Sequence, residues 1–210
     1  MASRPRAILF DWDNTLVDTW PCIGRATNIT LETMGQKPWT PDEIKARVAG
    51  SLRDTFPKIY GDRWEQAREV YYRAFEQVHL DMLTEFAGAG DFVRAAANAG
   101  LYVAVVSNKT GKYLRAEAAH LGWTGLFKRL VGSQDAQRDK PDIEPVLMAL
   151  DAAGFGPDSS VWFVGDAAID VICAHNAGCT SVLVHAPANT DPAAQIHAAD
   201  FPALRKIAGL

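Results

Sequence analysis

The chain has 210 residues, enough for one hydrophobic core, or for one core with a small accessory module. Its formal net charge of -4 argues against nucleic-acid binding, because phosphate backbones select basic surfaces. It has no bilayer-spanning apolar run, no signal-peptide pattern and no CxxC pair among its three cysteines, so we expect a cytoplasmic protein with reduced thiols.

Short apolar runs, each followed by a polar or glycine-containing turn, recur along the chain. Continuous runs rich in β-branched and aromatic residues are typical of strands that are buried on both faces of a sheet. The predicted strands are residues 7–10, 101–106, 130–131, 161–164 and 180–184, of which the third is the weakest.

Helical stretches separate these strands, and a glycine follows each one, as is usual just past a helix C-terminus. The predicted helices are residues 90–99, 112–121, 143–153 and 167–177, followed by Gly100, Gly122, Gly154 and Gly178. Strands that alternate with helices predict an α/β fold with a central parallel sheet.

Residues 17–86 break this rhythm, because they contain no convincing buried strand. The predicted helices here are residues 21–33, 41–48 and 63–82. Thr40 and Glu43 around Pro41 have the spacing of a capping box. A connection of ~70 residues is far longer than a usual crossover, which indicates an inserted helical module. The alternative is that these helices pack directly on the sheet.

Two carboxylates, Asp11 and Asp13, directly follow the first predicted strand. The carboxyl ends of parallel strands form the ligand-binding crevice of open α/β sheets. A carboxylate there can attack phosphorus to form an aspartyl-phosphate. A second carboxylate can protonate the leaving oxygen and later deprotonate water. Alternatively, both aspartates are ordinary turn or helix-capping residues.

Asp166 and Asp170 lie four residues apart where a predicted helix begins, so they share one face. Mg²⁺ prefers hard oxygen ligands and usually takes only one or two carboxylates. Asp11, Asp166 and the main-chain carbonyl of Asp13 therefore form a candidate Mg²⁺ site, with Asp170 behind it or bound through water. Alternatively, the two acidic residues only stabilise a helix N-terminus.

Ser107-Asn108-Lys109 follows the second long predicted strand, where a hydroxyl and backbone N–H groups can bind a phosphoryl oxygen. Lys140 precedes a predicted helix, and its ammonium can offset a carboxylate cluster and hold a phosphoryl group. The alternative for the first signal is an ordinary polar loop, and the alternative for Lys140, which is a weak signal by itself, is a surface lysine.

Together and in this order, the four signals resemble the motifs of the haloacid dehalogenase-like (HAD) superfamily. The matching residues are Asp11-Trp-Asp13-Asn-Thr15, then Ser107, then Lys140, then Gly165-Asp166 with Asp170. The resemblance covers nearly the whole chain, and residues 99–109 look like the phosphoglycolate phosphatase and β-phosphoglucomutase branch. One departure is Ala167, where many relatives carry a hydroxyl residue.

The resemblance implies a Rossmann-like core, residues 1–16 and 87–210, with strand order 5-4-1-2-3, and a small helical cap, residues 17–86. It implies Asp11 as nucleophile and Asp13 as acid/base. The implied residues for substrate are Thr15, Ser107, Asn108 and Lys140, and those for Mg²⁺ are Asp11, Asp13, Asp166 and Asp170.

Asp13 favours phosphate-ester chemistry, since the dehalogenase and phosphonatase branches lack an acid/base aspartate there. We expect a Mg²⁺-dependent phosphatase for a small phosphate monoester of the phosphoglycolate or sugar phosphate type. The alternatives are a phosphomutase of the β-phosphoglucomutase type and a non-catalytic binding protein that retains the fold. Arg53, in a predicted loop over residues 49–53, is a candidate to bind a second anionic group of the substrate. The sequence does not indicate an oligomeric state.

Overall fold

The structure, a computed structural model, describes residues 4–48, 52–185, 191 and 193–210, without the side chains of residues 52–54. The chain divides into two compact units. One unit comprises Met1–Asp18 and Glu85–Leu210, and the other comprises Thr19–Thr84. Whether the second unit acts as a cap stays a prediction.

The strands of the described residues are β1 (Ala7–Phe10), β2 (Val17–Asp18), β3 (Thr84–Glu85), β4 (Tyr102–Thr110), β5 (Arg129–Ser133), β6 (Val161–Gly165), β7 (Thr180–Val184) and β8 (Ile196–Ala198). Six of them form one parallel sheet in the order β5-β4-β1-β6-β7-β8. The predicted parallel sheet is confirmed. The five predicted strands are β1, β4, β5, β6 and β7 in chain order, so the predicted order 5-4-1-2-3 corresponds to β7-β6-β1-β4-β5, as observed. Strand β8 adds a sixth strand at one edge.

Strand β1 lies at the centre of this sheet and is fully buried along its length. Leu9 belongs to a cluster with Val146 and Phe163 on one face, whereas the ring of Phe10 packs edge-on against Phe92 at 5.9 Å. Successive side chains of a strand point to opposite faces. The continuous apolar run of β1 therefore follows from a sheet that is covered on both sides.

The helices of the described residues are α1 (Trp20–Thr33), α2 (Pro41–Arg47), α3 (Leu52–Tyr60), α4 (Trp64–Val78), α5 (Ala89–Asn98), α6 (Gly111–His120), α7 (Glu144–Ala149), α8 (Ala168–Asn176) and α9 (Phe201–Ala208). All four glycines that were predicted to follow helices have φ between 69° and 78°. This left-handed backbone suits glycine, because it has no Cβ to clash.

The Thr19–Thr84 unit has its own core of aromatic side chains. Phe56 packs edge-on against Tyr60 at 5.1 Å and against Tyr71 at 5.5 Å between ring centroids. The predicted capping box at the start of α2 is confirmed. The Thr40 hydroxyl accepts the N–H of Glu43 at 3.3 Å, and a Glu43 carboxylate oxygen accepts the N–H of Thr40 at 2.9 Å.

Four predicted stretches of this chain are corrected by the structure. Residues 52–60 form α3 rather than continuing the predicted loop, and Pro57 inside this helix removes the usual sequence signal for one. Strand β4 continues through Ser107 to Thr110, with a register shift against β5, instead of ending at Val106. Helices α4 and α7 are shorter than the predicted ranges 63–82 and 143–153.

No helix among the described residues has the length and apolar character that crossing a bilayer requires. All three cysteines are buried thiols outside any disulfide. Burial raises the pKa of Cys173 and of Cys179 to about 12.

Gly132 on β5 lies against the N-terminus of α6, and a Cβ added there would meet the backbone of Gly111 and lie 2.7 Å from the Lys109 carbonyl oxygen. We expect Gly132→Ala to lower the free energy of unfolding by about 1–3 kcal/mol through overpacking. Gly125→Ala is the matched control, since a Cβ there meets nothing within 4 Å. Urea unfolding of both variants checks this, and equal stabilities would contradict it.

Candidate active site

The turn after β1 carries Asp11 and Asp13. The N–H of Asp11 donates to the Val164 carbonyl of β6 at 2.8 Å, so Asp11 still belongs to the hydrogen-bonded sheet. The Trp12 carbonyl accepts N–H groups from the next turn of chain at 3.0–3.3 Å. Asn14 has φ of 58°, a left-handed conformation that asparagine tolerates better than most residues. These bonds fix both aspartates at the carboxyl end of the central strand.

Lys140 contacts two of the predicted site aspartates. Its Nζ lies 2.7 Å from Asp11 Oδ1 and donates a hydrogen bond of 2.7 Å to Asp170 Oδ1. The Lys140 side chain is only 2% exposed. Burial alone would lower the pKa of this lysine, but the two carboxylates outweigh it and raise that pKa above its usual value. Lys140 is therefore a permanently charged ammonium between two acidic groups.

Asn108 fixes the main chain that carries Lys140. Its Nδ2 donates to the Lys140 carbonyl at 3.0 Å, and the Lys140 N–H donates to its Oδ1 at 2.9 Å. Both ends of the amide are thus bonded to the main chain of Lys140. The structure places Asn108 as a support for Lys140, and its predicted contact with substrate stays a prediction.

Asp166 follows β6, next to β1 in the sheet. The hydroxyl of Thr15 donates to Asp166 Oδ1 at 3.0 Å, and Thr15 is fully buried. This bond between the first and fourth motifs orients the Asp166 carboxylate. The predicted contact of Thr15 with substrate stays a prediction.

Both carboxylate oxygens of Asp170 are engaged. Oδ1 accepts from Lys140, and Oδ2 accepts the N–H of Ala167 at 3.2 Å at the start of α8. This bond is the half of a capping box that the third helical residue supplies, and Ala167 has no side-chain acceptor for the other half. A Cβ on Gly165 would overlap the Asp170 carboxyl group, so the motif needs glycine at that position.

One carboxylate oxygen each from Asp11, Asp166 and Asp170 lie within 4.8 Å of one another. Burial, helped by Asp170 and Asp13 and opposed by Lys140, raises the pKa of Asp11 to about 6. Burial together with Asp11 and Asp170 raises the pKa of Asp166 to about 7. Burial is the larger cause of both shifts and repulsion among the carboxylates adds to it, and a bound cation would offset both. Three hard oxygen donors this close fit a Mg²⁺ ion.

Asp13 contacts a second buried lysine, Lys109, to which the sequence analysis gave no role of its own. Lys109 Nζ donates to Asp13 Oδ1 at 2.7 Å and lies 3.0 Å from Glu117 Oε1. The other oxygen of Glu117, Oε2, accepts the indole N–H of Trp12 at 2.7 Å. Burial alone would lower the pKa of Lys109, but Asp13 and Glu117 outweigh it and raise that pKa.

Two predicted substrate residues remain to be placed. Ser107 is buried within β4, three residues before the strand ends, and its Oγ accepts the N–H of Lys109 at 3.2 Å. Arg53 belongs to the first turn of α3. Its side chain, like residues 49–51, lies outside the described part of the chain, so its predicted substrate contact stays a prediction.

Known proteins resemble this chain along most of its length. A family model described as haloacid dehalogenase-like hydrolase matches residues 8–184. A phosphoglycolate phosphatase of Chromobacterium violaceum is 27% identical over 188 residues, 85% of this chain and 84% of that protein. An N-acetylmuramic acid 6-phosphate phosphatase of Pseudomonas aeruginosa is 28% identical over 186 residues, 86% of this chain and 82% of its own. A solved HAD-superfamily hydrolase from Ehrlichia chaffeensis has a TM-score of 0.69 and 30% identity, covering 98% of this chain and 97% of that one.

The raised pKa of Asp166 has a consequence for stability without metal. The pKa of Asp166 is about 7 in the folded state and about the ordinary 3.8 in the unfolded state. Between these pH values the Asp166 carboxyl group is protonated in the folded state and ionised in the unfolded state. The stabilisation is present at low pH and lost as the pH rises through about 7. In EDTA, from about pH 5 to pH 8, we expect the free energy of unfolding of the unsubstituted chain to fall by ~1–3 kcal/mol relative to Asp166→Asn.

Urea titrations at several pH values measure this difference. Asp62→Asn, which removes an exposed carboxyl group, is the control and should follow the unsubstituted chain. Parallel pH profiles for the chain and Asp166→Asn would contradict the prediction.

Proposed function

The chain belongs to the haloacid dehalogenase-like hydrolases, and we propose that it is a Mg²⁺-dependent phosphatase that hydrolyses a small phosphate monoester. The observation that carries the proposal is the juxtaposition of a buried Asp11 with Lys140 on one of its oxygens and the acidic group of Asp166 beside it. The phosphatase names of the two similar proteins at 27% and 28% identity support phosphate chemistry.

Asp11 is the proposed nucleophile. A carboxylate oxygen attacks phosphorus, the bond from phosphorus to the ester oxygen breaks, and an aspartyl-phosphate forms. A carboxyl group must be ionised to attack, and a pKa of about 6 leaves Asp11 ionised at neutral pH. Lys140 and the hydroxyl of Ser107 are the proposed ligands of the phosphoryl oxygens. The distance of 2.7 Å from Lys140 Nζ to Asp11 Oδ1 supports this role for the lysine.

Asp13 is the proposed acid/base. It gives a proton to the departing ester oxygen, which leaves as an alcohol. It then takes a proton from a water molecule whose oxygen attacks phosphorus. The bond between phosphorus and Asp11 breaks, releasing orthophosphate and restoring the carboxylate. Asp13 suits this exchange because its side chain, 28% exposed, is more open than its buried neighbours.

Mg²⁺ would be held by the carboxylates of Asp11 and Asp166 and the main-chain carbonyl of Asp13. Asp170 supports these ligands from behind, since both its oxygens already accept hydrogen bonds. When bound, Mg²⁺ supplies positive charge that stabilises the phosphoryl oxygens in the transition state. Thr15 orients Asp166 for this role.

The proposed substrate class is a small phosphate monoester of the phosphoglycolate or sugar phosphate type. The two similar proteins named above act on different compounds by their names, so similarity alone does not choose one. A panel containing phosphoglycolate, N-acetylmuramic acid 6-phosphate and several sugar phosphates, followed by orthophosphate release, identifies the preferred substrate.

We expect purified protein to hydrolyse p-nitrophenyl phosphate with Mg²⁺ and to stop in excess EDTA. Asp11→Asn should lower kcat by about 10⁴-fold or more, because it removes the nucleophile. Asp91→Asn, an exposed aspartate on α5, is the matched control and should keep full activity. Metal-independent turnover, or activity that survives in Asp11→Asn, would sink the proposal.

Thr15→Val tests the support of Asp166. The change keeps the buried shape and removes the hydroxyl that donates to Asp166 Oδ1. We expect about tenfold more Mg²⁺ to be needed for half-maximal activity, as is typical when a ligand loses its supporting bond. Thr33→Val, which loses a hydroxyl bond to its own helix at 2.7 Å, should leave the Mg²⁺ titration unchanged. An unaltered Mg²⁺ requirement in Thr15→Val would contradict the proposed support of Asp166 by the Thr15 hydroxyl.

A further inference from the structure

A chain of buried contacts runs from Asp13 into the core through Lys109, Glu117 and Trp12. Its polar links are 2.7 Å from Lys109 to Asp13, 3.0 Å from Lys109 to Glu117 and 2.7 Å from Trp12 to Glu117. Exposure falls along the chain, from 28% for the Asp13 side chain to 6% for Lys109 and 0% for Glu117. The partly exposed acid/base candidate is thus tied to a fully buried carboxylate.

A fully buried carboxylate is costly unless both of its oxygens are satisfied. Glu117 meets this condition, because Oε1 lies against the Lys109 ammonium and Oε2 accepts the Trp12 indole N–H. Lys109 in turn lies between two carboxylates. Its ammonium therefore has a fixed position, which a lysine with a single exposed partner would lack.

The contacts close into a ring, because Trp12 and Asp13 are joined by a peptide bond. The indole of Trp12 is fully buried and packs edge-on against Trp123 at 5.8 Å and Phe127 at 6.3 Å between ring centroids. This packing anchors one side of the ring. The direction of the Asp13 side chain is thereby set from its own backbone and from Lys109.

We propose that Lys109 and Glu117 are positioning residues that hold Asp13 for proton transfer during hydrolysis of the aspartyl-phosphate. The inference rests on the phosphatase function proposed above and deepens it. Lys109 donates to Asp13 Oδ1, so that oxygen is engaged, and Oδ2 is the oxygen that exchanges protons. Position matters here, since a general base must lie within hydrogen-bond reach of the proton that it abstracts.

The second half of the reaction isolates this role. Asp13 Oδ2 takes a proton from water, the water oxygen bonds to phosphorus, and the bond from phosphorus to Asp11 breaks. With p-nitrophenyl phosphate the first half needs little help from an acid, because the departing p-nitrophenolate is a stable anion. Release of p-nitrophenolate therefore reports transfer to Asp11, and release of orthophosphate reports hydrolysis.

The test is a rapid-quench experiment in which both products are followed with p-nitrophenyl phosphate and saturating Mg²⁺. For Lys109→Met we expect the first-turnover burst of p-nitrophenolate to stay within about threefold of the rate in the unsubstituted chain. Orthophosphate release, and with it steady-state turnover, should slow by about 10–100-fold. The aspartyl-phosphate should then accumulate and be seen by mass spectrometry of the quenched protein. A merely structural role would slow both products together and accumulate nothing.

Two further variants cover the case in which Lys109→Met does not fold. The double variant Lys109→Met/Glu117→Gln removes both buried charges at once, and Glu117→Gln leaves an amide oxygen for the Trp12 N–H. Trp12→Phe keeps an aromatic ring in the Trp123 and Phe127 cluster and removes only the N–H donor. Each should show the same lag of orthophosphate behind p-nitrophenolate, smaller in Trp12→Phe.

Arg115→Met is the matched control. Arg115 lies on α6, the helix that carries Glu117, and the substitution removes an exposed ion pair with Asp135. It should release both products at the unsubstituted rates. Coincident release in the folded Lys109 variants overturns the inference. If orthophosphate lags behind p-nitrophenolate in Asp13→Asn but not in the Lys109 variants, the inference fails and the proposed function stands. If the unsubstituted protein releases neither product, the proposed function fails, and the inference fails with it.

Discussion

Repulsion among like charges is the constraint around which the candidate site is arranged. Carboxylates of Asp11, Asp166 and Asp170 lie within 4.8 Å of one another, and burial prevents water from screening them. Lys140 offsets one of these charges from within the fold, and burial together with the remaining repulsion raises the pKa values of Asp11 and Asp166. A cation bound among these carboxylates would lower their electrostatic energy, and its positive charge would stabilise the phosphoryl oxygens in the transition state of the proposed reaction.

Much of the fold could be predicted because burial on both faces leaves a clear trace in the sequence. Strands β1 and β7 have the predicted bounds, since each is a continuous apolar run. Strand β8 was missed because three residues are too short to show a period. Helix α9 was overlooked although its signals are present, namely the N-cap Asp200 bonded to Ala203 and Gly209 in the left-handed region.

The candidate site was readable where each residue follows a strand, as Asp11 and Asp166 do. Lys109 and Glu117 could not be assigned in the same way, because their importance comes from burial and from contacts across the sheet and helix. Weaker signals did exist. Lys109 shares a strand face with Ser107, and Glu117 falls on the buried stripe of α6 with Leu114 and Ala118. A charged residue at a position where the helix or strand pattern predicts a buried apolar side chain therefore indicates a buried polar contact.

The burial of the native cysteines makes this chain suitable for attaching spectroscopic probes to an introduced cysteine. Maleimide reagents attack thiolates, and a thiol whose pKa is raised to about 12, as for Cys173 and Cys179, is almost wholly protonated at neutral pH. Cys22 is equally hidden from reagents in bulk water. A single cysteine introduced at an exposed position would therefore carry a dye or a spin label against a nearly silent background, with no need to remove the native thiols.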